Sequence, residues 1–598
     1  MTDSLARKIS ARFLPYVHNP AQYIGGEINQ IKKTSHPDDT RVALAFPDTY
    51  AIGSSHLGLA ILYTALNRMD KVVAERVFCP WTDATDIMRR FSIPLFSWES
   101  RRPVREFDIL GISLQHELSL SNVLYLLDLA GITFRAEERH EAEPLVIGGG
   151  PLADSCEPVA DFFDLVILGD GEESLPAVIN AYRRLRREKA NRREILLHLA
   201  EEFAFVYVPR FYHCSYSSDG RLIACEPVEP AAAPRIQRAI VQDLDSAIFP
   251  AAGIVPYTDT PHDRISIEIM RGCPQRCAFC HAGHTKGPVR YRSIEKILEI
   301  ARQSYCATGY DTISLLSLST GDYPQLMPLL QQLYREFAGR HVGISLPSLR
   351  VDKQLQEVPS QISDVRREGL TVAVETASGR IRQAIGKHIT DADLLASMQS
   401  AFAAGWRKVK LYFMLGFPGE TEDDIIAIYD LARRISDLRG EIAAGPAAVN
   451  VAISWLVPKP HTPLQWLGQR SLEYFQQAKN LLIDKVKFSS KMPLTLKFHH
   501  MERSMLEGVL ARGDRRLSQV IEIAYAHGAR FDCWNECFDY NRYLEAFKFC
   551  KIDPDFYARR ERLADEVLPW DHLAADNRDH LWQRYQRIMQ MLGGKTPG

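Results

Sequence analysis

The feature that most constrains this chain is an alternation of short apolar runs with helical stretches, met twice along its 598 residues. In the first passage Val42-Ala43-Leu44-Ala45-Phe46-Pro47 is a buried strand, and residues 58–66 are a helix. Residues 108–113 are a second strand, followed by helical 118–130; 145–150 and 165–169 are two more. Continuous apolar runs suit strands buried on both faces, and their alternation with helices predicts a doubly wound, Rossmann-like parallel sheet over residues 40–194. Ligands on such sheets sit at the carboxyl ends of the strands, where Ser54, Gly148, Gly149 and Gly169 fall. The second passage, residues 263–480, repeats the beat with strands at 265–269, 311–318, 343–350, 371–376, 408–415 and 448–454. Six such units predict a partial (β/α)6 barrel with its reactive loops on the C-terminal rim. An N-terminal arm (1–39), a connector (195–262) and a mostly helical C-terminal domain (481–598) complete an α/β chain of several domains.

The first barrel strand runs into Arg271-Gly272-Cys273-Pro274-Gln275-Arg276-Cys277-Ala278-Phe279-Cys280-His281. Three of the eleven cysteines lie within eight residues. Clustered thiolates suit a soft metal, and three fall one short of a closed site. A structural zinc completed by His281 or His284 is the other reading of the spacing.

This strand and cysteine loop resemble the signature of the radical S-adenosylmethionine enzymes. The resemblance implies a 4Fe-4S cluster on Cys273, Cys277 and Cys280, whose open iron chelates the amino and carboxylate groups of S-adenosylmethionine, with Phe279 near the adenine. It continues through Ser319-Thr320-Gly321-Asp322, Glu375 and Gly416-Phe417-Pro418-Gly419-Glu420-Thr421. By that resemblance Ser319 and Gly321 would hold the methionyl amino group, although the turn departs from the common Gly-Gly-Glu form. Glu375 would bond amino or ribose groups, and Gly416 would let the backbone approach the adenine. The later segment from Pro458 to Trp466 resembles a loop of methylthiotransferases and cobalamin-type enzymes. It makes His461 the candidate proton donor or acceptor, against a rigid Pro-rich loop with an exposed histidine.

Gly148-Gly149-Gly150-Pro151 and residues 164–173 resemble the end of the cobalamin-binding-type domain that precedes many radical S-adenosylmethionine domains. The fuller pattern, Asp-x-His-x-x-Gly, is missing, and His56 is the nearest histidine in the first loop. The resemblance implies cobalamin at Ser54, Gly148, Gly149 and Gly169, or a domain that kept the fold and lost the cofactor. The implied activity is reductive cleavage of S-adenosylmethionine to a 5′-deoxyadenosyl radical, with methyl transfer as the outcome if cobalamin is bound. The alternatives are a non-methylating radical enzyme with a vestigial first domain and an iron–sulfur binding or sensor protein. A flavodoxin- or ferredoxin-type electron donor is implied as partner. The substrate stays open between small molecule, RNA and peptide.

A formal charge of −2 argues against a broadly basic nucleic-acid surface. The basic run at 183–193 reads as a solvated helix face. Arg512, Arg515 and Arg516 ahead of Phe531, Trp534, Phe538 and Tyr540 read either as a stacking platform for bases or as a helix pair with an aromatic core. Cys533, Cys537 and Cys550 read as a second cluster or as scattered thiols. The start has no apolar leader and no run approaches eighteen apolar residues, so a cytoplasmic, oxygen-sensitive protein without membrane insertion is expected.

Overall fold

The computed structural model describes residues 2–34, 36–346, 370–487, 494–574 and 577–594. The first sheet is built from β1 (Thr40–Phe46), β2 (Val72–Phe78), β3 (Ile109–Ser113), β4 (Leu145–Gly149), β5 (Leu165–Ile167) and β6 (Val206–Tyr207), in the order β2-β1-β3-β4-β5-β6. All pairs are parallel except β5 with β6. β1 is buried along nearly its whole length, as a central strand covered by helices on both faces must be. β2, Val-Val-Ala-Glu-Arg-Val-Phe, was not expected as a strand. It is fully buried, and its charges are masked by pairing: Arg76 lies 2.6 Å from Glu99 and 3.0 Å from Glu27. The strand order reverses between β1 and β3, with β2 on one side and β4 on the other, which places a ligand crevice at their carboxyl ends.

The connector continues as the antiparallel hairpin β7 (Tyr212–Tyr216) and β8 (Leu222–Pro227). It also returns to the sheet: Gly169, just past β5, bridges to Ala239. Gly169 has φ of 99°, and a Cβ there would stand 2.2 Å from the Ala239 carbonyl oxygen. The glycine is thus required by the close approach of the connector.

The barrel begins with β9 (Ile265–Glu268). A short antiparallel ribbon, β10 (Met270–Arg271) with β11 (Arg290–Tyr291), brackets the cysteine loop. β12 (Thr312–Leu316) and β13 (Gly343–Ser345) join β9 in one parallel sheet, and residues 347–350 of the expected third strand lie outside the described residues. β14 (Leu370–Glu375), β15 (Lys408–Leu415), β16 (Ala448–Trp455) and β17 (Leu494–Phe498) form a second, also parallel. β17 is a seventh strand where six were expected. Leu-Thr-Leu-Lys-Phe alternates as a strand should, but it is short and stands in an otherwise helical passage. Along β15 exposure alternates, with Val409, Leu411, Phe413 and Leu415 buried against helices such as Glu422–Ile442.

The C-terminal helices do two jobs. Met501–Ala511, Leu517–Ala526 and Tyr540–Cys550 join the apolar core of the first sheet, where Cys537, Cys550, Trp534 and Phe538 also pack. Arg578–Met591 instead packs on Ala278, Phe279 and Phe417 at the barrel rim. The basic residues ahead of these helices are committed internally. Arg512 is buried on the carbonyls of Tyr557 and Leu467, and Arg515 and Arg516 pair with Glu157 and Asp514. That arrangement leaves no stacking platform of Arg512, Arg515 and Arg516. In the basic run, Arg192 is likewise buried, against Asp164 at 3.0 Å, while Arg184 keeps to the surface. Among the described residues no helix is long and apolar enough to cross a membrane.

Candidate active site

The cysteine loop leaves β10 at Gly272, whose φ of 85° lets the backbone pass within reach of Lys286 and Pro288. Cys273, Cys277 and Cys280 are each half-buried and free. Three thiols on one loop are a donor set one short of a closed tetrahedral site, which suits a cluster with an open iron. Burial pushes the Cys277 thiol up to about 11, and Lys387 pulls the other way, toward the thiolate.

A set of contacts gathers the rest of the rim around this loop. Gln275 Nε2 donates to both carboxylate oxygens of Asp322, at 3.0 and 2.9 Å, and Ser319 Oγ donates to Asp322 Oδ2 at 2.6 Å. The turn after β12, including buried Gly321, is thereby fixed to the cysteine loop. Ala278 N donates to Ile385 O at 2.9 Å, and the Cys277 thiol points at Gly386 O, 3.8 Å away. Lys387, on the same turn, donates to Glu375 Oε1 at 3.1 Å. Glu375 itself ends β14 in a bulge with φ of 70°, a strained setting for a residue with a Cβ. Phe279 lies edge-on to Phe417, with ring centroids 6.3 Å apart. Gly416 has φ of 111°, and its N–H donates to Glu420 across the turn after β15. Thr421 then caps the helix Glu422–Ile442 with a capping box closed by Asp424, which explains why the motif ends in threonine. The structure thus brings Cys273, Cys277, Cys280, Phe279, Ser319, Gly321, Glu375 and Gly416 to one rim. Sequence reasoning missed Lys387 and Gln275, because nothing local marks a lysine 107 residues beyond Cys280 as its neighbour.

His461 is buried, contrary to the reading of an exposed loop histidine. Its Nε2 lies 2.8 Å from Asp154 O, and burial lowers its pKa to about 4, so the ring is neutral at pH 7. His281 Nε2 stands 3.1 Å from Asp154 Oδ1. Against the burial that would raise it, His281 chiefly holds the Asp154 carboxyl below the usual range. Asp154 therefore links the first domain to the residue just beyond Cys280.

A cavity of about 570 Å³ opens at the β1/β3 switch point. One wall comes from the first domain: Ile112, Gly148, Gly149, Gly169 and the start of the helix Gly171–Arg187. The other comes from the barrel: Glu268, Met270, Gly272 and Leu316 among others. Arg271 joins the walls, with a bidentate pair on Glu268 at 2.9 and 2.8 Å and ion pairs to Asp170 at 3.1 Å and Glu172 at 2.7 Å. Ser54 is apart from this cavity. It lines a smaller one of about 90 Å³, and its buried Oγ has no partner among the described residues. His56 borders both. Its Nδ1 accepts from Leu59 N at 3.1 Å, so the neutral ring carries its proton on Nε2 and offers no free lone pair there.

A parallel-sheet domain joined to a parallel barrel whose first strand delivers three thiols to the rim defines an iron–sulfur-type enzyme scaffold. Residues 58–209 match the family described as "Radical SAM proteins, N-terminal", and residues 267–432 match the "Radical SAM superfamily". The chain belongs to the radical S-adenosylmethionine superfamily and is an enzyme of that class. An uncharacterized protein of Methanocaldococcus jannaschii is 24% identical over 486 residues, which span 80% of this chain and 90% of that protein. A tRNA-2-methylthio-N(6)-dimethylallyladenosine synthase of Sorangium cellulosum is 27% identical over 222 residues, 33% of this chain and 44% of the synthase; the chain thus spans less than half of that relative. The solved radical S-adenosylmethionine methyltransferase TsrM from Kitasatospora setae, with cobalamin and a 4Fe-4S cluster bound, superposes with a TM-score of 0.47 at 14% identity, over 71% of this chain and 77% of that one.

Proposed function

We propose that the chain is a cobalamin-dependent radical S-adenosylmethionine enzyme that transfers a methyl group. The observation that carries this reading is the 570 Å³ cavity, which runs from the strand ends of the first sheet to residues flanking the cysteine loop. A flat cofactor lying on Gly148 and Gly149 would face the barrel rim directly. When bound, the cluster and corrin supply reductive cleavage of S-adenosylmethionine and a methyl carrier.

The chain's own residues hold and shield these groups. Cys273, Cys277 and Cys280 would hold the cluster. Ser319 and Gly321, pinned through Asp322 to Gln275, would hold the methionyl end. Glu375, fixed by Lys387, would accept from an amino or ribose group, and Phe279 and Gly416 would flank the adenine. The helix Arg578–Met591 covers Phe279 and Phe417 and so excludes water from that side. Neutral His461 and the Asp154–His281 pair would orient groups at the seam between the two domains. A low-potential donor of flavodoxin or ferredoxin type would supply the electron.

Anaerobic reconstitution with iron, sulfide, reductant and S-adenosylmethionine tests the radical step. The wild type is expected to release 5′-deoxyadenosine, and Cys277→Ala to release none above background. Equal yields from the two would overturn the assignment of the cysteine loop.

A further inference from the structure

We propose a second sulfur site, remote in sequence from the cysteine loop: a reversible disulfide between Cys214 and Cys225 on the β7–β8 hairpin. The two residues are directly opposed in the register, Cys214 against Cys225. The type of pairing follows from a neighbour. Pro227 stands opposite Tyr212 and has no N–H to give, so that pair is of the non-hydrogen-bonded kind. The backbone bond from Val228 N to Phe211 O, one residue further out, agrees. Because the two kinds alternate, the Cys214–Cys225 pair two residues along is also non-hydrogen-bonded. Such pairs hold their Cα atoms about 4.5 Å apart, within the span a disulfide bridges. The sulfurs stand 2.7 Å apart, well inside the ~3.5–4.0 Å of ordinary non-bonded carbon contacts although sulfur is the larger atom.

The hairpin is held in this register from outside. Arg515 Nη1 donates to the carbonyls of Pro209 and Tyr212 at its base, both at 3.1 Å. Arg516 Nη2 donates to Gly220 O at its tip, at 2.7 Å, and its guanidinium lies over the Tyr216 ring. Polar groups also face the sulfurs. His572 Nε2 is 3.8 Å from Cys225 Sγ and 3.3 Å from Glu157 Oε1, and Glu157 lies within 4.8 Å of both cysteine sulfurs. A metal fits the cluster less well: Glu157 is already engaged by Arg515 on both oxygens and by Tyr207, and His572 presents one nitrogen to both Glu157 and Cys225.

The step balances with a low-molecular-weight disulfide as oxidant. One cysteine thiolate attacks the disulfide, forming a mixed disulfide and expelling one small thiol. The other cysteine then attacks the protein sulfur of that mixed disulfide and expels the second. The pair loses two electrons and two protons; the oxidant gains both. A small reductant thiol reverses the sequence.

The test treats cluster-loaded protein anaerobically with oxidised glutathione, quenches with an alkylating reagent and maps every cysteine by peptide mass spectrometry. Cys214 and Cys225 are expected to leave the alkylated pool together as one cross-linked peptide pair, two hydrogens lighter than the sum, and to return on reduction. Cys214→Ser and Cys225→Ser should each trap glutathione on the remaining cysteine. Two results would overturn the proposal. One is full alkylation of both cysteines under conditions that modify exposed Cys306. The other is protection of the pair in untreated protein, with metal content that falls in the double serine variant.

Discussion

Glu420 carries its carboxyl inside the turn after β15, where Oε2 accepts from Gly416 N at 2.7 Å and from the Tyr474 hydroxyl at 2.6 Å. Burial pushes it up to about 7, against the pull of those two bonds. The folded state thus keeps a proton that the unfolded chain gives up near 4.5. More protons bound in the fold means that stability falls as pH rises between those values and levels off above about 7. Glu420→Gln keeps both accepted bonds and loses the titration. Chemical denaturation is expected to show the loss between pH 5 and pH 8 shrinking in the variant by up to about 3 kcal/mol; an unchanged pH dependence would mean the carboxyl is already ionised in the fold. At this scale the cysteine loop was legible, because its spacing is local. The lysine that faces it was not: Lys387 is brought in by strand order, which no short motif records.

The rim turn and the C-terminal helix meet at one backbone contact. Gly419 has φ of 65°, and a Cβ there would stand 2.2 Å from the carbonyl oxygen of Leu592. Gly419→Ala must therefore displace the end of the helix Arg578–Met591 and also strain its own backbone, at a cost of roughly 1–3 kcal/mol. Hydrogen exchange should rise in residues 578–592 while the first sheet keeps its protection. Unchanged exchange there would show that the helix is held by its side chains alone. The strands of the barrel were readable from apolar runs, and β15 shows why: its alternation is regular over eight residues. β2 and β17 were not readable. One hides its strand character behind two buried charges, and the other is five residues long in helical surroundings.

Across the whole molecule the first sheet's domain and the barrel meet through Arg271 and the cavity beside it. Arg271→Met would leave Glu172 and part of Asp170 without a cation at the seam, although Arg290 still reaches Asp170 at 2.6 Å. Breaking a nearly buried pair in this way costs on the order of 3 kcal/mol. The expected result is a lower thermal midpoint together with weaker retention of any cofactor held between the domains; a variant that melts and binds as the wild type does would show that the seam is not held by this residue. The division into two α/β units was visible in the sequence. Their mutual placement was not, since the cavity is lined by residues more than a hundred positions apart in the chain, such as Ile112 and Met270.

If cobalamin occupies the cavity at the switch point and faces the cysteine loop, as proposed, protein produced with the vitamin supplied will carry it. The visible spectrum and metal analysis should show cobalt at about one equivalent per chain. Leu62→Trp, which fills the cavity from the helix Leu57–Arg68, should abolish that binding while leaving S-adenosylmethionine cleavage in place. Wild-type protein that cleaves S-adenosylmethionine yet never takes up cobalamin would contradict it.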